Sequence, residues 1–408
     1  MKKRLLALLC GMALLLSLPV TAEGAVLYDE GAGESLASLL EEDAAVWPTV
    51  AVPSEASGLD IKAKGAVLLD QGSGTVLYEK DSHTHLPIAS VTKVMTLLLV
   101  MEAIEAGRLN WTDPVTCSDK AASMGGSQIW LEPGEIMTVE ELVKAAAVVS
   151  ANDACAALAE HISGTLEAFV AAMNKRAAEL GMKDTRFVDC SGLDDTGYSC
   201  AYDVAVMSRE LMKHTDIQKF TTIWMDSLRG GESQLVNTNK LVRHYKGATG
   251  LKTGTTQAAG HCLSATASRE GTAFVAVVLG CVTTDDRWSG ARAMLDYGFS
   301  HYVVYTPDVT GLTLSPVKVL GGQLTQVEAV PEIPGSLLLE KGTESRVTTK
   351  VELAADVEAP VLPGQVLGSW RLMLGEKVLA EYPLKAACEV PKTTLKWAYG
   401  LLMEALLK

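Results

Sequence analysis

Pro87-Ile88-Ala89-Ser90-Val91-Thr92-Lys93-Val94-Met95-Thr96 opens a run in which neither glycine nor proline occurs from Ser90 to Glu105. Val91, Met95, Leu98 and Leu99 recur at helical spacing, so the stretch predicts a helix from Ser90 to about Glu105. A serine three residues before a lysine shares its helical face. The positive end of the helix dipole lies where negative charge would develop on that serine. A hydroxyl is a poor nucleophile until a neighbour takes its proton. Lysine can take it only when burial or a second cation keeps the amine neutral. Ser-x-x-Lys is weak alone, since a chain of 408 residues holds about one or two by chance. The second copy, Ser315-Pro316-Val317-Lys318, sits in a strand-like run with no helix to aim its serine, and is read as coincidence.

Around this helix the pattern is mixed. Residues 65–70 and 75–78 are β-rich runs either side of Gln71-Gly72-Ser73-Gly74, which predicts a hairpin. Helices are predicted over 138–149, 152–162, 165–180 and 203–213, strands over 248–255, 261–268 and 272–281, and a closing helix over 285–298. The expectation for 61–302 is α+β: an antiparallel sheet covered by helices, with an all-helical subdomain inserted. From 303 to 391 short β-rich runs at 317–320, 336–339, 346–348 and 351–353 alternate with Gly and Pro, predicting a small all-β domain.

The ends carry their own signals. Lys2, Lys3 and Arg4 precede an apolar run from Leu5 to Leu18, and Val20-Thr21-Ala22 offers small residues for cleavage. Residues 1–22 therefore read as an export signal. Cys10 lies inside the apolar run after bulky Leu9, which argues against a lipid-modified cysteine. Cleavage after Ala22 removes three of the 35 Lys and Arg and none of the 49 Asp and Glu, taking the net charge from −14 to −17. So acidic a chain is not a nucleic-acid binder. Residues 23–60 hold nine acids and no Lys or Arg, an acidic leader or stalk. The tail, 392–408, is nearly all apolar, with Lys396, Gly400, Glu404 and Lys408 spaced by four into one narrow polar stripe. It is shorter than the ~20 apolar residues a span needs. It reads as an amphipathic anchor in the membrane interface, with Trp397 and Tyr399 at headgroup level; a helix packed on the β domain is the alternative.

Eight cysteines, less Cys10, leave an odd number, and no Cys-x-x-Cys spacing supports zinc or thioredoxin chemistry. Cys190 and Cys200 flank a glycine-bearing loop and are read as buried thiols rather than a disulfide. His83, His85 and the other five histidines are read as structural or surface residues. No cofactor and no metal is expected.

Two further motifs bear on the chemistry. Ser150-Ala151-Asn152 lies at a break between helical patterns, where an ordinary helix cap is the competing reading. Lys252-Thr253-Gly254 lies on a predicted strand and runs on into Thr255-Thr256. There the lysine offers a second cation, the threonine hydroxyls suit a carboxylate, and the glycine lets a substrate backbone approach closely.

In this order and in these contexts the motifs resemble those of the low-molecular-mass penicillin-binding proteins, the serine D-Ala-D-Ala carboxypeptidases. Residues 87–96, Ser150-Ala151-Asn152-Asp153-Ala154, Met173-Asn174 with Leu180-Gly181-Met182, and Gly250-Leu251-Lys252-Thr253-Gly254 carry the likeness. It covers about residues 60–300 and, more loosely, the β domain and tail. The resemblance implies the penicillin-binding/β-lactamase-like transpeptidase fold. It implies Ser90 as nucleophile, Lys93 as general base and Ser150 as proton relay. Asn152 would orient the substrate amide, Lys252 would stabilise charge and help keep Lys93 neutral, and Thr253 would contact the terminal carboxylate beside Gly254. The backbone N–H groups of Ser90 and Thr255 would form the oxyanion hole. The implied partners are peptidoglycan stem peptides ending in D-Ala-D-Ala and β-lactams acting as covalent inhibitors. The implied location is the outer face of the cytoplasmic membrane.

Two departures stand out: the loop at 192–201 is one residue shorter than the family's, and Thr238 stands where some relatives place arginine. A serine β-lactamase would need an added deacylating base, such as a helical glutamate, and no stretch identifies one. A silent wall-binding relative should have lost Ser90, Lys93 or Lys252, and all three are present.

Overall fold

The computed structural model describes residues 58–332 and 335–407, so the expected export signal and almost all of the expected acidic leader lie outside the described residues. Its centre is a five-stranded antiparallel sheet. The strands are β1 (Gly65–Asp70), β2 (Val76–Lys80), β3 (Ala248–Thr256), β4 (Gly260–Arg269) and β5 (Thr272–Cys281), in the order β2-β1-β5-β4-β3. Along β1 the side chains alternate between two cores. Val67 and Leu69 join one cluster, while Ala66 and Leu68 join the other. Such a strand reads as a continuous apolar run, because both faces of the sheet are covered.

One face packs against α6 (Thr284–His301) through Ala291, Met294, Leu295 and Phe299. The other carries α1 (Lys93–Glu105), α2 (Val139–Val148), α3 (Asn152–Ser163), α4 (Leu166–Glu179) and α5 (Ala201–Leu211). Helix α1 is buried on nearly every side, as expected of a helix with few polar residues. Its start differs from the prediction: Ala89–Thr92 form a 3-10 turn, and the α-helix begins only at Lys93. Thr138 caps α2 in a reciprocal box with Glu141, an arrangement worth about 1 kcal/mol. The subdomain predicted as all-helical is not wholly so. Pro114–Thr116 pairs with Ile136–Thr138, and Met225–Leu228 pairs with Ser233–Val236. These runs of three and four residues are too short to show a period of two in the sequence.

Beyond α6 the chain is β-rich. Tyr302–Tyr305 pairs antiparallel with Leu337–Glu340, so a shared ribbon crosses the border expected at residue 303. A four-stranded sheet contains Val347–Leu353, Val366–Leu374 and Lys377–Ala386, around a fully buried Trp370 stacked on Tyr382. Ser315 and Lys318 are both exposed, and Lys318 points outward from a strand. The chain ends in α7 (Leu395–Leu407), none of whose residues is buried, so it is not packed on the β-rich region.

Candidate active site

The turn Ala89–Thr92 holds Ser90 at the start of α1. In a 3-10 turn residues i and i+3 nearly eclipse. Lys93 Nζ accordingly lies 2.8 Å from Ser90 Oγ, and it donates a second bond to the carbonyl oxygen of Ser191 at 2.7 Å. Lys93 is 0% exposed. Burial pushes its ammonium below the ordinary lysine value, against the pull of the Cys155 and Cys190 thiols and of Asp189 and Asp153. Ala89, just before the nucleophile position, takes φ +48°, a conformation that costs a non-glycine residue about 1–3 kcal/mol.

Ser150 occupies the break between α2 and α3, also in a left-handed conformation (φ +65°). Its Oγ and the Oδ1 of Asn152 are buried without a hydrogen-bond partner. Leaving such groups unsatisfied costs about 1–3 kcal/mol each, the kind of strain kept where a ligand completes the bonding. Asn152 Nδ2 donates to the Gly125 carbonyl at 2.7 Å. The neighbouring Asp153 accepts from the N–H groups of Ile129, Leu131 and Ala154, which ties loop 125–131 to α3.

Strand β3 forms the third wall. Lys252 is 1% exposed. Burial, and then repulsion from Lys93 and Arg287, holds its ammonium well below the ordinary value. The two lysines are therefore one electrostatic unit that resists carrying two protons. Both amines are thus held below the ordinary lysine value, chiefly by burial. Thr253 Oγ1 donates to Thr238 Oγ1 at 2.8 Å, and the Thr238 N–H reaches the Val148 carbonyl at the end of α2. This chain of bonds draws β3 toward the Ser150 break. Gly254 meets a need inside the protein itself. A Cβ there would lie 2.5 Å from the Ile88 carbonyl oxygen and 3.1 Å from the backbone nitrogens of Ser90 and Val91. The close neighbour is thus the protein's own nucleophile turn.

The Ser90 turn thus carries Lys93 beside its hydroxyl and β3 against its backbone, and Thr238 links Thr253 of β3 to the end of α2. The D-alanyl-D-alanine carboxypeptidase family pattern matches residues 50–283, more than half of the chain. The chain belongs to the D-alanyl-D-alanine carboxypeptidase family. A second pattern, the C-terminal domain of penicillin-binding protein 5, matches residues 306–392. The D-alanyl-D-alanine carboxypeptidase DacF of Bacillus subtilis is 44% identical over 322 residues, covering 78% of this chain and 83% of its own. The structure of penicillin-binding protein 5 from Haemophilus influenzae superposes with a TM-score of 0.72 at 30% identity, covering 82% of this chain and 99% of that one. Penicillin-binding protein 6B from Escherichia coli gives 0.67 at 28% identity, over 80% and 96%.

In this member of the carboxypeptidase family, several residues beside the cleft escaped the sequence reading. Asp189 accepts from the N–H groups of Ser191, Gly192 and Asp194, folding the loop that aims the Ser191 carbonyl at Lys93. Asp-x-Ser-Gly is an Asx-turn signal, so this one was open to detection. Gly192 (φ +76°) presses on the Ala89 carbonyl, where any Cβ would collide. Among the described residues no arginine hydrogen-bonds to Thr253 or Thr238. Arg287 of α6 comes instead from behind the sheet, its guanidinium 3.2 Å from Thr255 Oγ1, with its Nε unpartnered and its charge disfavoured by burial. His261, read as a structural or surface residue, lies 3.3 Å from Thr255 Oγ1. Cys190 and Cys200 are free buried thiols.

Proposed function

We propose that the chain removes the terminal D-alanine from peptidoglycan stem pentapeptides through an acyl-enzyme on Ser90, and that β-lactams acylate the same oxygen. The observation that carries this reading is the fully buried Lys93 amine set 2.8 Å from Ser90 Oγ. A neutral amine has two N–H groups and one lone pair. With one N–H given to the Ser191 carbonyl, the lone pair is free to take the Ser90 proton. Ser90 Oγ then attacks the penultimate D-Ala carbonyl. The backbone N–H groups of Ser90 and Thr255 meet the developing oxyanion, an interaction typically worth ~3–4 kcal/mol per donor. Ser150 passes the proton from Lys93 to the leaving amine, D-alanine departs, and water attacks the ester with Lys93 again as base.

Asn152 holds the substrate amide. Lys252 and the hydroxyls of Thr253 and Thr255 receive the terminal carboxylate, with the Arg287 charge behind them. The position of β3 at the sheet edge supports a substrate bound as an added strand. A β-lactamase reading has less support, because Asp189 and Asp153 are both occupied by backbone N–H groups and neither is free to drive fast deacylation.

The proposed organisation is an export signal (1–22), an acidic leader (23–60), the catalytic domain (61–302), the β domain (303–391) and an anchor (392–408). No described helix is long and apolar enough to cross a membrane. Helix α7 leaves Leu395, Leu402, Leu406 and Leu407 exposed, which supports a helix lying in the interface at the outer face of the cytoplasmic membrane. Mass spectrometry of the protein with penicillin, and with a tripeptide ending in D-Ala-D-Ala, tests the chemistry. Ser90→Ala should lose both the adduct and D-alanine release while keeping its fold. A penicillin adduct on Ser315, or activity surviving in Ser90→Ala, refutes the assignment.

A further inference from the structure

Away from the cleft, three Lewis bases converge from three segments of the chain. His83 Nδ1 lies 2.9 Å from Asp184 Oδ2, and Cys200 Sγ lies 4.0 Å from the same oxygen. All three ligand atoms fall within 4.8 Å of one another. The other carboxylate oxygen, Asp184 Oδ1, is held by His85 Nε2 at 2.9 Å. A tetrahedral zinc ion sets its N and O ligands about 3.3 Å apart and its S ligand about 3.6 Å from either, given Zn–N, Zn–O and Zn–S bonds of roughly 2.0–2.3 Å. The His83–Asp184 pair would open, and the Cys200–Asp184 gap close, by about 0.4 Å each. From these observations we propose that His83, Asp184 and Cys200 bind a divalent transition-metal ion of the zinc class, with His85 buttressing Asp184 and solvent in the fourth position.

The surroundings suit the role. The Asp203 N–H donates to Cys200 Sγ at 3.4 Å, which fixes the direction in which the sulfur points. Asp203 Oδ2 accepts from the Asp184 N–H and from Thr185 Oγ1, fixing the segment that presents the carboxylate. His83 packs against Tyr202 and His85 stacks on Tyr198. Leu86 and Ser199 exchange backbone hydrogen bonds of 2.8 and 3.0 Å, so two of the three segments are already joined. Cys200 is buried while His83 is exposed, which gives an ion a way in. On binding, the thiol proton leaves to solvent as the S–metal bond forms, with no change of oxidation state. His83 lies 101 residues before Asp184, and Cys200 lies 16 after it, a pattern that no local spacing announces. The ion would staple the residues leading into the Ser90 turn to the N-terminus of α5 without touching the cleft.

The test uses the purified, untagged chain after chelation. Zinc titrated against a chromogenic chelator should bind one ion per chain and raise the melting temperature with its concentration. Cobalt(II) should show a thiolate-to-metal charge-transfer band. Cys200→Ser, which keeps a good helix cap, should abolish that band. It and the surface change His83→Ala should each weaken zinc binding at least tenfold. Absence of one-to-one binding, or binding unmoved by both substitutions, overturns the proposal.

Discussion

Replacing Gly254 by alanine tests whether the close approach of β3 to the nucleophile turn sets the catalytic geometry. The new Cβ would lie 2.5 Å from the Ile88 carbonyl oxygen, whereas ordinary contact begins at 3.4 Å, so the two backbones must part by about 0.9 Å. Neither can yield by turning a side chain, because the opposing atoms are backbone. Overpacking of this kind costs about 1–3 kcal/mol of stability. The larger effect falls on the chemistry. The displaced turn carries the Ser90 N–H and hydroxyl, and an error of about 1 Å in a reacting constellation costs roughly a hundredfold, or about 2.7 kcal/mol of barrier. The assay is the acylation rate with a coloured β-lactam, alongside a melting curve to confirm that the variant is folded. Gly311→Ala, at a position with open space around it, is the control and should match the native rate. A folded Gly254→Ala protein acylating within about tenfold of native would refute the claim that this contact fixes Ser90.

Lys93→Arg should be nearly inactive despite its charge, since a guanidinium does not give up its proton; a rate within about tenfold of native would show that Lys93 acts only as a cation. With the lysine in place, burial holds its pKa below 10.5. The neutral, basic form therefore grows as pH rises, and acylation should climb about tenfold per pH unit and level off before pH 10.5. A rate still climbing past that pH would contradict the assigned base. Deleting residues 393–408 should release the exported protein from membranes while leaving its rate on small soluble peptides unchanged. Replacing Leu402 and Leu406 by Glu should weaken binding similarly, since each buried leucine contributes roughly 1.5–3 kcal/mol. Sedimentation of the truncated protein with membranes would exclude the anchor.

The parts of the site that were legible in the sequence are those whose chemistry resides in side chains at short spacing. Ser90 with Lys93, Ser150 with Asn152, and Lys252 with Thr253 and Thr255 could each be written down before any fold was known; the fold sets Lys93 against Ser90, lays Gly254 on the Ser90 turn and ties Thr253 through Thr238 to the end of α2. What escaped reading was supplied by the backbone or by distant segments. The Ser191 carbonyl that holds Lys93 is 98 residues away and has no residue-type signature. Arg287 reaches Thr255 from α6, which packs behind β4 and β5, a packing fact that periodicity in the helix does not reveal. Long elements such as β5 and α4 were predicted to within a few residues because many positions share one pattern. The 3-10 turn at Ala89–Thr92 was not, since it differs from an α-helix by a single hydrogen-bond offset.

The ribbon joining Tyr302–Tyr305 to Leu337–Glu340 also constrains how such chains can evolve. Recombination that exchanged the C-terminal region between relatives at the obvious break after α6 would bring together two strands selected in different proteins. Their register, from Tyr302 opposite Glu340 to Tyr305 opposite Leu337, would have to survive the exchange. A one-residue slip would turn Leu339, which is buried, toward solvent. Successful crossovers should therefore fall before residue 302 or after residue 340, so that the four paired residues of each strand are inherited together.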